Sequence, residues 1–181
     1  MAHLQEREGT GAAFMDDGIR RGLGDVKADG RLLARGPIMI DVERSITIDR
    51  VPKDVYAFVA DTENEPRWHT DVLEVRRHDK GPVKVGSKAN LKFKPMMGHS
   101  EGTLQIMHLE PPRQIELDIV FGAMKPHVTF RFEPEGPGTK VTRRVQIKAP
   151  GAMRLFPFLM RRMVAKRSNR FLANLKTELE H

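Results

Sequence analysis

Apolar side chains recur at every second position in one short run after another between Ile40 and Ile147, and after Gly151 the spacing changes once, to three and four, for the remainder of the chain. Alternation at period two marks half-buried strands, and the longer period marks an amphipathic helix. The order predicts a series of short strands closed by one long helix. Each strand exposes one face and must bury the other, and the final helix is the only element long enough to cover that much sheet.

The first run sets Val42, Arg44, Ile46 and Ile48 against Asp41, Glu43, Ser45 and Thr47. Pro52 suits the first position of a helix, where a missing N–H costs nothing, and Asp54 falls in the same first turn, where the helix dipole favours it. Val55, Phe58 and Val59 give that helix one apolar face. A second short helix is expected near Thr62, holding Pro66 and Trp68. Only strand patterns follow. Val72 to His78 opens them, and Val85, Ser87, Ala89, Leu91 and Phe93 form the next in-phase set. Thr103 to Leu109 is stopped by Pro111-Pro112, which cannot donate ladder bonds. Ile115 to Phe121, Val128 to Phe132 and Thr139 to Ile147 complete the set, the last two separated by the turn residues Glu135-Gly136-Pro137-Gly138. Consecutive short strands joined by turns favour an antiparallel meander. The final helix carries Phe156, Met160, Val164, Phe171, Leu175 and Leu179, with Pro157 either in its first turn or at a kink.

Composition removes several classes of function. The 181 residues suffice for one domain, and with no cysteine there is no disulfide, thiolate metal site or cysteine nucleophile. A reducing, cytoplasmic setting is the expectation. No apolar run reaches the ~18–20 residues of a membrane span, and the first residues lack the basic-then-apolar order of a secretory signal. The net charge of +7 permits attraction to anionic surfaces without specifying nucleic acid, and no specific nucleic-acid partner is expected. Residues 1–37, rich in Gly, Asp, Arg and Glu, show neither period and are expected to be a disordered tail, with the domain spanning 38–181 and Met39 a candidate natural start.

Five short motifs occur in order. They are Ile46 to Asp61 (ITIDRVPKDVYAFVAD), Pro66-Arg67-Trp68-His69, Glu110-Pro111-Pro112-Arg113, Phe132-Glu133-Pro134 and Gly138-Thr139-Lys140-Val141-Thr142. Along residues 40–180 the chain thereby resembles the START-related (SRPBCC) superfamily, and within it the bacterial polyketide cyclase/dehydrase-like proteins. The resemblance implies an α+β helix-grip fold: about seven antiparallel strands curved around a long C-terminal helix, two short helices after the first strand, and an apolar cavity between sheet and helix. It implies little about chemistry, because such folds serve carriers, binders and enzymes alike.

Candidate lining residues follow from the strand phases. On the sheet they are Ala89, Leu91 and Phe93, then Leu117, Ile119 and Phe121, then Val128, Phe130 and Phe132. On the helix they are Met160, Met163, Val164 and Phe171. Burying ~200 Å² of ligand surface against them would be worth ~5 kcal/mol before ordering costs. Arg44 and Arg143 fall in phase with apolar neighbours, so each is either a buried cation suited to a ligand carboxylate or enolate, or a long stem reaching the rim. Trp68 is a packing anchor or a binding surface, and His69 is the one histidine beside it that could exchange protons near neutral pH. No histidine spacing suits a metal and no glycine-rich phosphate loop is present, so no metal or cofactor is expected.

Three readings compete. The first is a binding or carrier protein for a hydrophobic small molecule such as a lipid, polyketide or other aromatic compound. The second is a cyclase/dehydrase-type enzyme using the same cavity. The third is an interaction module whose core is filled by its own side chains. The basic middle of the last helix (Arg161, Arg162, Lys166, Arg167 and Arg170) fits either a solvated face or transient contact with an anionic membrane surface.

Overall fold

The structure is a computed structural model that describes residues 39–96, 98–149, 151 and 155–181. The tail expected at 1–37, and the question of Met39 as a start, concern residues outside that set.

Seven strands form one antiparallel sheet: β1 (Met39–Ile48), β2 (Val72–Arg77), β3 (Lys88–Met96), β4 (His99–Glu110), β5 (Gln114–Val120), β6 (His127–Glu135) and β7 (Gly138–Lys148). Their order in space is β1-β7-β6-β5-β4-β3-β2, so β2 through β7 is a plain meander and β1 adds itself beside the last strand. Between β1 and β2 lie α1 (Pro52–Ala60), a 3₁₀ turn (Thr62–Asn64) and α2 (Glu65–Trp68). The chain ends in α3 (Pro157–Glu180), which packs on β1, β7 and α2. This is the helix-grip arrangement expected from the sequence.

Local chemistry accounts for the boundaries. Pro52 and Pro157 each stand in the first turn of their helix, so Pro157 starts α3 and does not kink it. The β6–β7 hairpin closes through Gly136 at φ 58°, a left-handed conformation that glycine adopts without penalty. β3 begins at Lys88, later than the alternation from Val85 suggests; Gly86 turns at φ 88° and leaves Val85 exposed.

A single hydrophobic cluster joins the sheet's inner face to the helices. Its fully covered members include Ile48, Val55, Ile115, Val141, Leu172 and Leu175. No helix among the described residues is long and apolar enough to cross a membrane.

Candidate ligand cavity

The two ends of α3 meet the sheet differently. Beyond Phe171 the helix is tied to the end of β1 and the turn after it. The Lys176 ammonium donates to the Thr47 carbonyl at 2.7 Å, Arg50 Nε donates to the Leu179 carbonyl at 2.7 Å, and the Asp49 N–H donates to Glu180 Oε1 at 2.7 Å. Before Phe171 the helix leaves a cavity of about 90 Å³, open on one side.

From the sheet, Phe93, Ile119, Phe121 and Val128 line this cavity, with Val145 and Ile147 beyond Arg143 on β7. From α3 come Met163, Val164, Arg167 and Phe171, and His69 closes the α2 side. Met124 and Pro126 contribute from the β5–β6 connection. The Phe93 and Phe121 rings lie 5.7 Å apart and form one patch of wall.

Other expected lining residues are buried in the core without reaching the cavity: Ala89, Leu91, Leu117, Phe130, Phe132 and Met160. Trp68 is also core; its ring meets Phe130 edge-on at 6.0 Å. Arg44 needs a correction. It pairs with Arg143 in register, so the two share a face of the sheet, but β1 is an edge strand and the Arg44 side chain is exposed, donating to the Glu43 carbonyl. Its stem reaches water at the rim, beside Arg161 and Arg162.

The cavity's polar side is concentrated at Arg143 and α2. Arg143, 6% exposed, donates from Nη1 to Ser168 Oγ at 2.7 Å, while its Nε is buried with no hydrogen-bond partner. Its guanidinium lies 5.7 Å from the ring centres of both Phe130 and Phe171. Burial lowers its pKa to about 10, a shift that Glu65 opposes. His69 stacks on Phe171 with centroids 3.7 Å apart, and its Nδ1 is also buried and unbonded. Burial first, then Arg143, hold the imidazole well below its ordinary range, so His69 is neutral at pH 7 and does not exchange protons near neutrality as its sequence context suggested.

Two residues the sequence pattern did not single out complete this corner. Glu65 stands one turn before His69 on α2 and is buried; desolvation raises its carboxyl to about 7 although Arg143 pulls the other way. Ser168 falls on the apolar stripe of α3 and supplies the one hydrogen bond that Arg143 makes among the described residues. The spacing of four from Glu65 to His69 and from Val164 to Ser168 was the available signal for both. Val145 and Ile147, in phase with Arg143, were equally legible.

Hydrogen bonds and ion pairs clamp α2 and β2 onto α3. Asn174 Nδ2 donates to the Trp68 carbonyl at 3.1 Å, Arg67 Nε donates to Glu178 at 2.9 Å, and Asp71 accepts from both Arg167 and Arg170. At the other end of α3, Leu155, Phe156, Phe158 and Leu159 are strongly exposed, next to the exposed Arg161 and Arg162.

The family model described as "Polyketide cyclase / dehydrase and lipid transport" matches residues 39–180. No curated protein matches the chain. Among solved structures it is similar to a Chromobacterium violaceum protein at 16% identity, over 78% of this chain and 98% of that one, with a TM-score of 0.63. A Thermus thermophilus protein is similar at 15% identity, over 79% and 97%, with a TM-score of 0.62. The di-domain ARO/CYC StfQ from the steffimycin biosynthetic pathway is similar at 14% identity, over 78% of this chain and 51% of that one, with a TM-score of 0.64. At such identities the likeness speaks for the fold alone.

Proposed function

Because the chain belongs to the polyketide cyclase / dehydrase and lipid transport family, we propose that it binds and carries a compact apolar molecule in the cavity between its sheet and the first half of α3. The observation that carries this reading is the cavity itself, a space walled by Phe121, Val128, Val164 and Phe171, while Leu172 and Leu175 further along α3 are fully buried. Its volume of about 90 Å³ sets the scale. Pockets that enclose drug-sized ligands run to roughly 300–1,000 Å³, so the body held here is about one ring or a short branched chain. A longer molecule protrudes past Met163 at the rim.

Carriage is favoured over catalysis by the protonatable groups. General acid–base chemistry needs donor and acceptor on facing sides of a substrate. Here His69 is the one such group on the cavity wall, and Glu65, the other buried candidate, lies on the same short helix behind it. Arg143 stays charged at neutral pH and suits binding.

Native mass spectrometry of the full chain purified from cells tests the proposal. A bound small molecule is expected, lost in Val164→Phe, which fills the space from α3. A ligand-free wild type that also fails to bind indole in calorimetry contradicts it.

The exposed end of α3 supports a membrane-surface contact for loading or release. Leu155 and Phe158 are 74% and 69% exposed, far beyond what a solvated helix end requires, and Arg161, Arg162 and Lys166 follow on the same helix. The partner that fits apolar and basic groups together is an anionic lipid bilayer. Wild type is expected to sediment with phosphatidylglycerol vesicles and not with phosphatidylcholine, and Phe158→Ser with Leu159→Ser to lose that binding. Equal sedimentation of the double variant, or self-association through this face in place of vesicle binding, overturns it.

A further inference from the structure

Arg143 presents an imbalance that the protein does not resolve internally. A guanidinium offers five N–H donors and cannot shed its charge near neutral pH. Burying such a group unpaired costs several kcal/mol, and proteins ordinarily answer with a carboxylate at contact distance. Among the described residues Arg143 enters no ion pair and makes one hydrogen bond, to a neutral serine. The rings of Phe130 and Phe171 add cation–π attraction, short of a counter-ion.

Glu65 attracts Arg143 electrostatically but stops short of contact. It makes no salt bridge to Arg143, and no hydrogen bond reaches its carboxyl among the described residues. The next cation, Arg167, lines the same cavity and adds positive charge to that wall, though it is bonded to Asp71. His69 closes the α2 side as an uncharged ring. Three features therefore converge on one space: a buried cation with its Nη2 arm unbonded among the described residues, an uncharged imidazole ring, and apolar walls. An anionic oxygen acceptor on an apolar body satisfies all three.

Resting on the reading of the cavity as a small-molecule site, we propose that its ligand is a compact carboxylic acid, bound as the carboxylate on Arg143 with its apolar body against Val128, Val164 and Phe171. Arg143 sets the chemical class, while the walls admit any body of the right size. Ser168 holds the Nη1 arm of the fork and leaves the Nη2 arm for the ligand.

Calorimetric titration of the full chain with matched acid and amide pairs tests this: benzoate and benzamide, phenylacetate and phenylacetamide, cinnamate and cinnamamide. Indole serves as the neutral probe of the cavity. The acid is expected to bind at least about tenfold tighter than its amide in one or more pairs, the loss expected when a charge-assisted contact is absent. In Arg143→Met the preference should fall to within about twofold while indole binding survives. Amides that bind as tightly as acids in every pair overturn the proposal. Indole binding without acid preference does so as well and leaves the cavity reading intact; failure of indole and acids together removes both. If Arg143→Met does not fold, the wild-type acid-to-amide ratio carries the test alone.

Discussion

The two halves of α3 lie on the same sheet and share the same strand, β7, yet one is sealed and the other is not. Leu172 and Leu175 are covered to 1% and 0% exposure above the start of β7, where Val141 is also fully buried. Three hydrogen bonds tie that end to Thr47, Asp49 and Arg50. Val164, about two turns earlier, and Phe171, next to Leu172, line a cavity together with Arg143, Val145 and Ile147 of β7. The lesson is local. Where aliphatic side chains of the helix meet aliphatic side chains of the sheet, the gap closes. Where Arg143, His69 and the rings of Phe93, Phe121 and Phe171 face one another, space remains.

Substitutions in each half separate the two cases. The largest effect is expected at Leu175→Ala in the sealed half, a loss of about 2–5 kcal/mol of unfolding free energy in urea titration. A cost below about 1 kcal/mol would mean that this half also contains slack. Next is the pH dependence carried by Glu65. Its carboxyl is raised to about 7 in the fold from 4.5, so the fold favours the protonated form. That contribution is complete below the unfolded value and is lost as pH rises through about 7, up to roughly 3 kcal/mol in all. Glu65→Gln, fixed in the neutral form, should lose less stability than wild type between about pH 5 and pH 8. His69, shifted downward, acts in the opposite sense, its contribution fading as pH falls, and is common to both proteins. Equal pH slopes would show that Glu65 is ionised and paired.

Insertion of volume separates the halves directly. Val141→Phe should cost about 1–3 kcal/mol or more, whereas Val164→Phe, entering open space, should cost under about 1 kcal/mol and abolish indole binding. Similar penalties at both would remove the distinction. The smallest effect belongs to Phe158→Ser on the exposed end of α3, within about 0.5 kcal/mol of wild type. A larger loss of stability would show that Phe158 is covered.

Much of the architecture was legible because period two and period 3.6 are geometric consequences of backbone shape. The count of strands, the short helices at Pro52 and Thr62, and the long closing helix all follow from that. The cavity wall was legible as a face and not as a depth. Alternation places Leu117 and Ile119 on the same side of β5, but only curvature decides that Ile119 reaches the space while Leu117 lies in packed core. Arg44 and Arg143 illustrate the same limit. Their phases are identical, and strand order separates them, since β1 is an edge and β7 is not. Glu65 was hidden for a different reason. A glutamate beside a proline at a helix start reads as solvent-facing, and only tertiary packing of α2, against α3 and β2, buries it.

A crystal structure of the full chain under xenon pressure tests the central claim most directly. Xenon enters small apolar cavities without demanding specific contacts. Density for xenon among Phe121, Val128, Val164 and Phe171, with none beside Leu172 and Leu175, is the result expected. An unoccupied, close-packed region in both halves of the helix–sheet interface would contradict the account.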